Sequence, residues 1–171
     1  MYGIHGIMAL RKTIQYAQDK GMLVIADAKR NDIGTTATAY ATGILGNTEI
    51  IDGTSPAMFG VDCITVNGYL GTDGIKPFTD VCKEQGKGIF ALVRTSNPSA
   101  GDLQDLELKD GRHVYDAMAD MVNEWGKDLV GESGFSSVGA VVGATWPEQA
   151  VELRKRMPNN LILVPGYGAQ G

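Results

Sequence analysis

The feature that most constrains the fold of this chain is the run LVIADAKRNDIG at residues 23–34. Its apolar first half predicts a buried strand, and its charged half falls where that strand ends. Side chains two residues apart share one face of a strand, so we expect Asp27 and Lys29 to point the same way, with Asp32 just beyond the strand. An ammonium held between two carboxylates keeps its proton, which suits a general acid.

A simpler interpretation of the same spacing is a structural ion pair between Asp27 and Lys29 at the end of a strand. A catalytic role is favoured by the position of these charges. In parallel α/β proteins the carboxyl ends of the strands carry the chemistry, and three charged residues cluster at this one.

The rest of the chain alternates between strand and helix patterns, which predicts a parallel sheet with right-handed crossovers. Thr35 or Thr36 is predicted to cap the second helix, and residues 99–112 are predicted to be the longest stretch without secondary structure. The predicted strands cover residues 23–29, 61–70, 87–95, 138–145 and 161–164, and the predicted helices cover residues 1–20, 35–42, 72–85, 113–130 and 147–157.

Five predicted strands are too few to close a (β/α)₈ TIM barrel, which needs eight strands and about 250 residues. An open doubly wound sheet would fit that number. A partial barrel is nevertheless favoured, because polar residues recur at nearly every strand end, at Asp27 and Lys29, Asn67, Ser96 and Thr145. That recurrence indicates a site to which several strands contribute.

Composition and charge exclude several classes of protein. The 171 residues carry a formal net charge of −5, whereas nucleic-acid and membrane-surface binders need a basic field, so neither partner is expected. No run is long and apolar enough to span a membrane. The cysteines, Cys63 and Cys82, are expected to be reduced thiols in a cytoplasm. His5 and His113 lack ligand spacing, so no metal is expected.

Residues 27–36, DAKRNDIGTT, resemble the Asp-x-Lys-x-x-Asp signature of the orotidine 5′-phosphate decarboxylase family, in the form of its longer bacterial subfamily. The resemblance implies a (β/α)₈ barrel. It also implies that residues 1–171 form one incomplete domain, from the helix after the second strand to the loop after the seventh. A lysine upstream and a phosphate-binding arginine downstream would then lie outside this chain, and we expect the chain alone to be inactive.

On this resemblance the reaction converts orotidine 5′-phosphate to uridine 5′-phosphate without cofactor or metal. Lys29 would stabilise the carbanion and protonate C6, and Asp27 would lie against the departing carboxylate. Asp32, Ile33 and Thr36 would reach across a homodimer interface to the ribose side of the neighbouring site.

Two further segments carry substrate-binding residues by the same resemblance. Ser96 would hydrogen-bond the pyrimidine edge, although a strand-end serine is usually a turn residue. The sequence GYGAQG at 166–171 matches the dinucleotide fingerprint, but a following helix and acidic residue would be needed. A glycine-rich turn without a binding role is an alternative interpretation of these residues. The resemblance makes it a phosphate loop in which Gly168 and Gln170 contact the substrate.

Other functions remain open at this stage. The nearest are the magnesium-dependent sugar-phosphate decarboxylases and hexulose-phosphate synthases, which share the Asp-x-Lys-x-x-Asp signature. A phosphate-binding fragment without catalysis is a further alternative. Arg30 and Arg94 are interpreted as surface or salt-bridge residues.

Overall fold

The computed structural model describes residues 3–168. The helices are α1 (Gly3–Asp19), α2 (Gly34–Tyr40), α3 (Thr72–Gln85), α4 (Gly101–Gln104), α5 (Val114–Gly126) and α6 (Pro147–Arg156). The strands are β1 (Ile25–Arg30), β2 (Cys63–Val66), β3 (Gly88–Arg94), β4 (Ser136–Val142) and β5 (Asn160–Leu163). The predicted alternation is therefore confirmed.

The five strands form one parallel sheet in the order β1-β2-β3-β4-β5. A doubly wound sheet reverses its strand order at a switch point, and this sheet has no such reversal in residues 3–168. Each strand instead pairs with the next along the chain, as in a barrel. The partial-barrel prediction is confirmed, and the doubly wound alternative is wrong.

The hydrophobic core lies between the helices and one face of the sheet. Every second strand residue points into it, as the alternation of side chains along a strand requires. On β1 these residues are Ala26 and Ala28, and on β3 they are Ile89, Ala91 and Val93. The other face of the sheet carries Asp27 and the remaining strand residues, which alternate with the core-facing ones. In a closed barrel this face is the interior.

The second helix differs from the prediction at both ends. Neither Thr35 nor Thr36 caps it, because Ile33 is the N-cap residue and makes no side-chain cap hydrogen bond. The helix also continues past Thr42 as a π-helical segment, Ala41–Leu45. The continuation has a packing cause: Ala37, Ala41 and Leu45 follow one another at intervals of four residues and are fully buried.

Two more predictions are corrected. Residues 99–112 are not structureless, since they include part of the 3₁₀ turn Pro98–Ala100, then α4, and Glu107, which bridges to His113. Strand β2 ends at Val66, not near residue 70. The cause is a turn in which the Asn67 side chain accepts a hydrogen bond from the Tyr69 N–H at 2.9 Å.

The sheet has open edges at β1 and β5, because within residues 3–168 no strand pairs beyond either. Helix α1 is also only partly covered. Ile14 is buried, whereas Ile4, Ile7 and Leu10 are each more than half exposed. None of the described helices is long and apolar enough to cross a membrane.

Candidate active site at the carboxyl end of the sheet

Strand β1 ends in an ion pair between the two residues predicted to share a face. The Lys29 Nζ donates a hydrogen bond to Asp27 Oδ1 at 2.5 Å. The side chains are 49% and 66% exposed, respectively, so the pair stands open at the carboxyl edge of the sheet. An exposed pair contributes about 1 kcal/mol or less to folding, so stability alone gives little reason for it.

The backbone at Lys29 is unusual. Lys29 has φ +49°, and it is the one non-glycine residue with a positive φ in residues 3–168. The regular pairing of β1 with β2 shifts between Ala26 and Arg30, on either side of it. A left-handed conformation at a lysine is disfavoured by its Cβ, and such outliers concentrate at functional sites.

Thr65 of β2 contacts both members of the ion pair. Its hydroxyl donates to Asp27 Oδ1 at 2.8 Å and accepts the Lys29 N–H at 3.0 Å. The Lys29 ammonium holds the pKa of the Asp27 carboxyl below its usual value; partial burial acts in the opposite direction, and the Thr65 hydroxyl lowers it further. Sequence reasoning missed Thr65. The signal that could have identified it is a hydroxyl side chain within an otherwise apolar strand.

Asp32 lies in the turn after β1 and does not contact the lysine. In the described part of the chain no ion pair joins Asp32 to Lys29, so the expectation of an ammonium between two carboxylates is wrong for a single chain. The cause is local: Asp32 Oδ1 accepts the Ile33 N–H at 2.8 Å. Ile33 and Thr36 are both exposed at the start of α2, and Asp32 is half-buried.

A glycine of α3 allows this turn to pack closely. A Cβ at Gly74 would lie 2.6 Å from Asn31 Oδ1 and 3.0 Å from the Asp32 carbonyl oxygen. Only a residue without a side chain fits against that backbone. Sequence reasoning missed Gly74, because a glycine inside a helix pattern carries no sign of what it touches.

Ser96 lies two residues beyond β3, half-buried at the same carboxyl edge. It packs on the end of β4, where a Cβ at Gly143 would come within 2.9 Å of the Ser96 Cβ. The Gly143 N–H donates to the Arg94 carbonyl oxygen at 2.7 Å. The close approach of these two strand ends fixes the backbone on which Ser96 is presented.

The glycine-rich segment follows β5 at that edge as well. Pro165, the residue before it, is bonded to the turn after β4, since the Ala144 N–H donates to the Pro165 carbonyl oxygen at 3.0 Å. Gly166 and Gly168 have φ +84° and +93°, so both adopt a conformation that favours glycine. Gln170 lies outside the described residues.

Arg94, interpreted from sequence as a surface or salt-bridge residue, is 1% exposed at the end of β3. Its Nη2 lies 2.9 Å from Asp105 Oδ1, and its Nη1 donates to Gln104 Oε1 at 3.3 Å. Its guanidinium carbon lies 3.9 Å from the ring centre of Trp146 and 5.2 Å from that of Tyr115. Arg94 thus attaches the segment after β3 to the sheet.

The described residues contain no group of three His, Cys, Asp or Glu side chains that could hold a metal ion. What the site offers is an ammonium, bonded to a carboxylate, at the open end of a strand. Such a group can donate a proton to an atom bound above the sheet. At the same carboxyl edge of the sheet lie two backbone segments, after β3 and β5, that could hold a polar ligand.

The family model for "Orotidine 5′-phosphate decarboxylase / HUMPS family" matches residues 2–171. The chain belongs to this family. Among relatives, it is 51% identical to the orotidine 5′-phosphate decarboxylase of Rhodopirellula baltica over 169 residues, which cover 99% of this chain and 54% of that protein. It is 48% identical to that of Caldicellulosiruptor bescii, covering 99% of this chain and 55% of that protein.

Among solved structures, the OMP decarboxylase of Leishmania donovani superposes with a TM-score of 0.76 at 36% identity, over 98% of this chain and 58% of that chain. The chain therefore spans about half the length of the relatives it matches. Family membership confirms the resemblance drawn from residues 27–36, and the fold agrees with that of the family's solved structures.

Proposed function

We propose that the full-length protein carrying this chain is a carboxy-lyase that converts orotidine 5′-phosphate to uridine 5′-phosphate in pyrimidine biosynthesis. The observation that carries the proposal is the position of the family signature. Its lysine is bonded to its first aspartate, Asp27, on the carboxyl edge of the sheet. Relatives from two organisms bear the name of that enzyme over nearly the whole of this chain.

In the proposed reaction the bond between C6 and the carboxylate breaks, its electron pair stays on C6, and carbon dioxide leaves. The Lys29 ammonium stabilises the carbanion, transfers a proton to C6 and becomes a neutral amine. Asp27 lies against the departing carboxylate and holds the ammonium at 2.5 Å before the proton moves. Charge fixed in place before the reaction is the largest stabilising effect usually open to an enzyme.

Substrate binding is assigned to the segments after β3 and β5. Ser96 is proposed to bond the pyrimidine edge, and its backbone is held by the close packing of Gly143. Gly168 is proposed to let a phosphate approach backbone N–H groups, and its positive φ supports an irregular loop of this kind. Gln170 is proposed to contact the phosphate and the pyrimidine.

We also propose that residues 1–171 are one incomplete domain, from the helix after the second strand of a (β/α)₈ barrel to the loop after the seventh. The sequential strand order and the open edges of β1 and β5 support this. Alone, this segment is proposed to be inactive. A cytoplasmic location is supported by Cys63 and Cys82, both free thiols whose pKa values are raised chiefly by burial, that of Cys82 to about 12.

The functional assembly is proposed to be a homodimer with shared sites, in which Asp32, Ile33 and Thr36 serve the neighbouring subunit. The outward exposure of Ile33 and Thr36, and the lack of an ion pair from Asp32 to Lys29 in the described residues, support it. Mixing inactive Asp32→Ala and Lys29→Ala proteins should restore activity, because a hybrid dimer carries one intact site. No recovery after verified subunit exchange would mean that each site comes from one chain.

The reaction itself is tested by the loss of orotidine 5′-phosphate absorbance in the full-length protein, with and without a chelator. We expect the rate to persist in chelator. The family description also includes HUMPS proteins, so a strict magnesium requirement, with turnover of a sugar phosphate, would move the assignment to the sugar-phosphate enzymes. Binding of a nucleotide without turnover of either substrate would indicate a non-catalytic protein.

A further inference from the structure

Thr65 is the buried polar residue of β2, and it is 1% exposed. Its neighbours in the strand, Ile64 and Val66, pack into the helix-side core, whereas Thr65 faces the ion pair on β1. A hydroxyl has one proton to donate, and Thr65 donates it to Asp27 at 2.8 Å. The same oxygen accepts the Lys29 N–H at 3.0 Å.

This hydroxyl therefore bonds the backbone of one ion-pair member and the side chain of the other. At Lys29 the strand pairing is interrupted, and a side-chain oxygen takes the place of a carbonyl as the acceptor for its N–H. The left-handed φ of +49° at Lys29 is one that few non-glycine residues adopt, so a fixed contact is needed to keep it.

We propose that Thr65 is a positioning residue for the decarboxylation, which keeps the Lys29 backbone and the Asp27 carboxylate in the one arrangement that aims the ammonium at the substrate. This inference rests on the proposed function. Thr65 acts through Asp27 and Lys29 and is not assigned any contact with substrate. Its neutral hydroxyl can hold the carboxylate without competing with Lys29 for the role of proton donor.

Loss of the hydroxyl should also change the ionisation of Asp27. The charged group in contact with Asp27 is Lys29 on the same strand, and the titratable side chain on the same face of β2 is Cys63. A hydrogen bond donated to a carboxylate favours its ionised form, and the Thr65 bond is one cause of the lowered pKa of Asp27. Removing that bond should raise this pKa.

The test uses three variants of the full-length protein. Thr65→Val removes the hydroxyl and keeps the shape, and Thr65→Ser keeps the hydroxyl. The matched control is Ser136→Ala at the opposite, amino end of β4. Ser136 is 5% exposed, and its hydroxyl has the same pattern of bonds, accepting the Val138 N–H at 3.0 Å and donating to the Gly126 carbonyl oxygen at 2.8 Å.

We expect Thr65→Val to lower kcat by about 10²-fold, the cost of a small misplacement of a reacting group, with KM little changed. The acidic limb of its kcat/KM profile should move to higher pH. Thr65→Ser should restore both properties, and Ser136→Ala should affect stability but neither kcat nor the profile. A Thr65→Val enzyme with the wild-type kcat and the wild-type acidic limb would overturn the proposal.

A second measurement separates this proposal from the proposed function. Carboxyl ¹³C NMR, with the Asp27 signal assigned by its loss in Asp27→Asn, should show a raised pKa of Asp27 in Thr65→Val and an unchanged one in Ser136→Ala. If the wild-type protein has no decarboxylase activity, the proposed function fails and this titration still decides whether Thr65 holds the pair. Should Thr65→Val not fold, Thr65→Ala is measured in the same way.

Discussion

The ends of β1 and β3 carry the same kind of charge pair in opposite surroundings. Lys29 and Asp27 form a pair that is 49% and 66% exposed, with one bond between them. Arg94 is 1% exposed, is bonded to Asp105, and lies against two aromatic rings. A cation that the protein surrounds on every side is held in place, whereas a half-exposed one can still meet a substrate. Burial thus separates a pair that supports the fold from a pair available for chemistry.

The largest effect expected from this difference is on catalysis at Lys29. In the full-length protein Lys29→Ala should lower kcat by at least about 10³-fold, because it removes the group that we propose donates the proton and stabilises the carbanion. Binding of a product analogue should weaken much less. Steady-state kinetics and calorimetry measure the two quantities.

The matched control for Lys29→Ala is Lys76→Ala. Lys76 is also an exposed, paired lysine, 2.6 Å from Asp80, but both members of its pair lie on α3 and neither lies on a strand. Its removal should leave kcat at the wild-type value. Near-normal turnover in Lys29→Ala would refute the assigned role.

The next largest effect is expected on the stability of the fold, at the Arg94–Asp105 pair. Asp105→Ala should lower the free energy of unfolding by about 2 kcal/mol, because it leaves a buried guanidinium without its carboxylate. Urea denaturation measures this loss. Asp110→Ala is the control, since Asp110 also pairs with an arginine, Arg112, but at the exposed surface. Equal losses in the two variants would show that burial of Arg94 is not what matters.

The contrast between the two pairs also explains what sequence could and could not predict. The alternating pattern and the charged end of β1 were readable, because the periods of strands and helices act over a few residues. The burial of Arg94 was not, because the residues that it contacts, Asp105 and Trp146, lie outside its own strand. Nor could residue spacing predict that Asp32 makes no ion pair with Lys29. The Asp32 carboxylate instead accepts a hydrogen bond from the Ile33 N–H.

Thr65 and Gly74 illustrate the same limit at the site itself. Each lies on a different element from the residue it supports, and each is ordinary in its own strand or helix. Their roles follow only from distances across the fold, 2.8 Å from Thr65 Oγ1 to Asp27 and 2.6 Å from a Cβ at Gly74 to Asn31. The charged side chains at the end of β1 could be recognised locally, whereas the residues that contact this part of the chain from other elements required the tertiary structure.

A smaller effect on stability is expected at the Asp27–Lys29 pair of β1. Asp27→Ala should change the free energy of unfolding by no more than about 1 kcal/mol, since the Asp27 side chain is exposed. Its effect on kcat should be far larger. Asp27→Ala would then reduce catalysis and leave stability nearly unchanged, whereas Asp105→Ala reduces stability. A loss of stability as large as that of Asp105→Ala would mean that the Asp27–Lys29 pair is structural.

The smallest expected effect is the pH dependence of that stability. Asp27 has a pKa below its ordinary value of 3.8 in the folded protein, first because of the Lys29 ammonium. A carboxyl whose folded pKa is depressed stabilises the fold above its unfolded pKa, and this contribution is lost as pH falls through the folded value. The difference in unfolding free energy between wild type and Asp27→Asn should therefore be constant from neutral pH down to about pH 5 and shrink below it.

Salt provides the control for this measurement, because exposed charges are screened at high ionic strength. The Asp27 difference should diminish in about 1 M salt, where the screening length falls to about 3 Å. The Asp105 difference should persist, since Arg94 is shielded from solvent by Trp146 and Tyr115. If both differences responded equally to salt and pH, the two strand ends would share one electrostatic environment, and exposure could not explain why one cation is free to react.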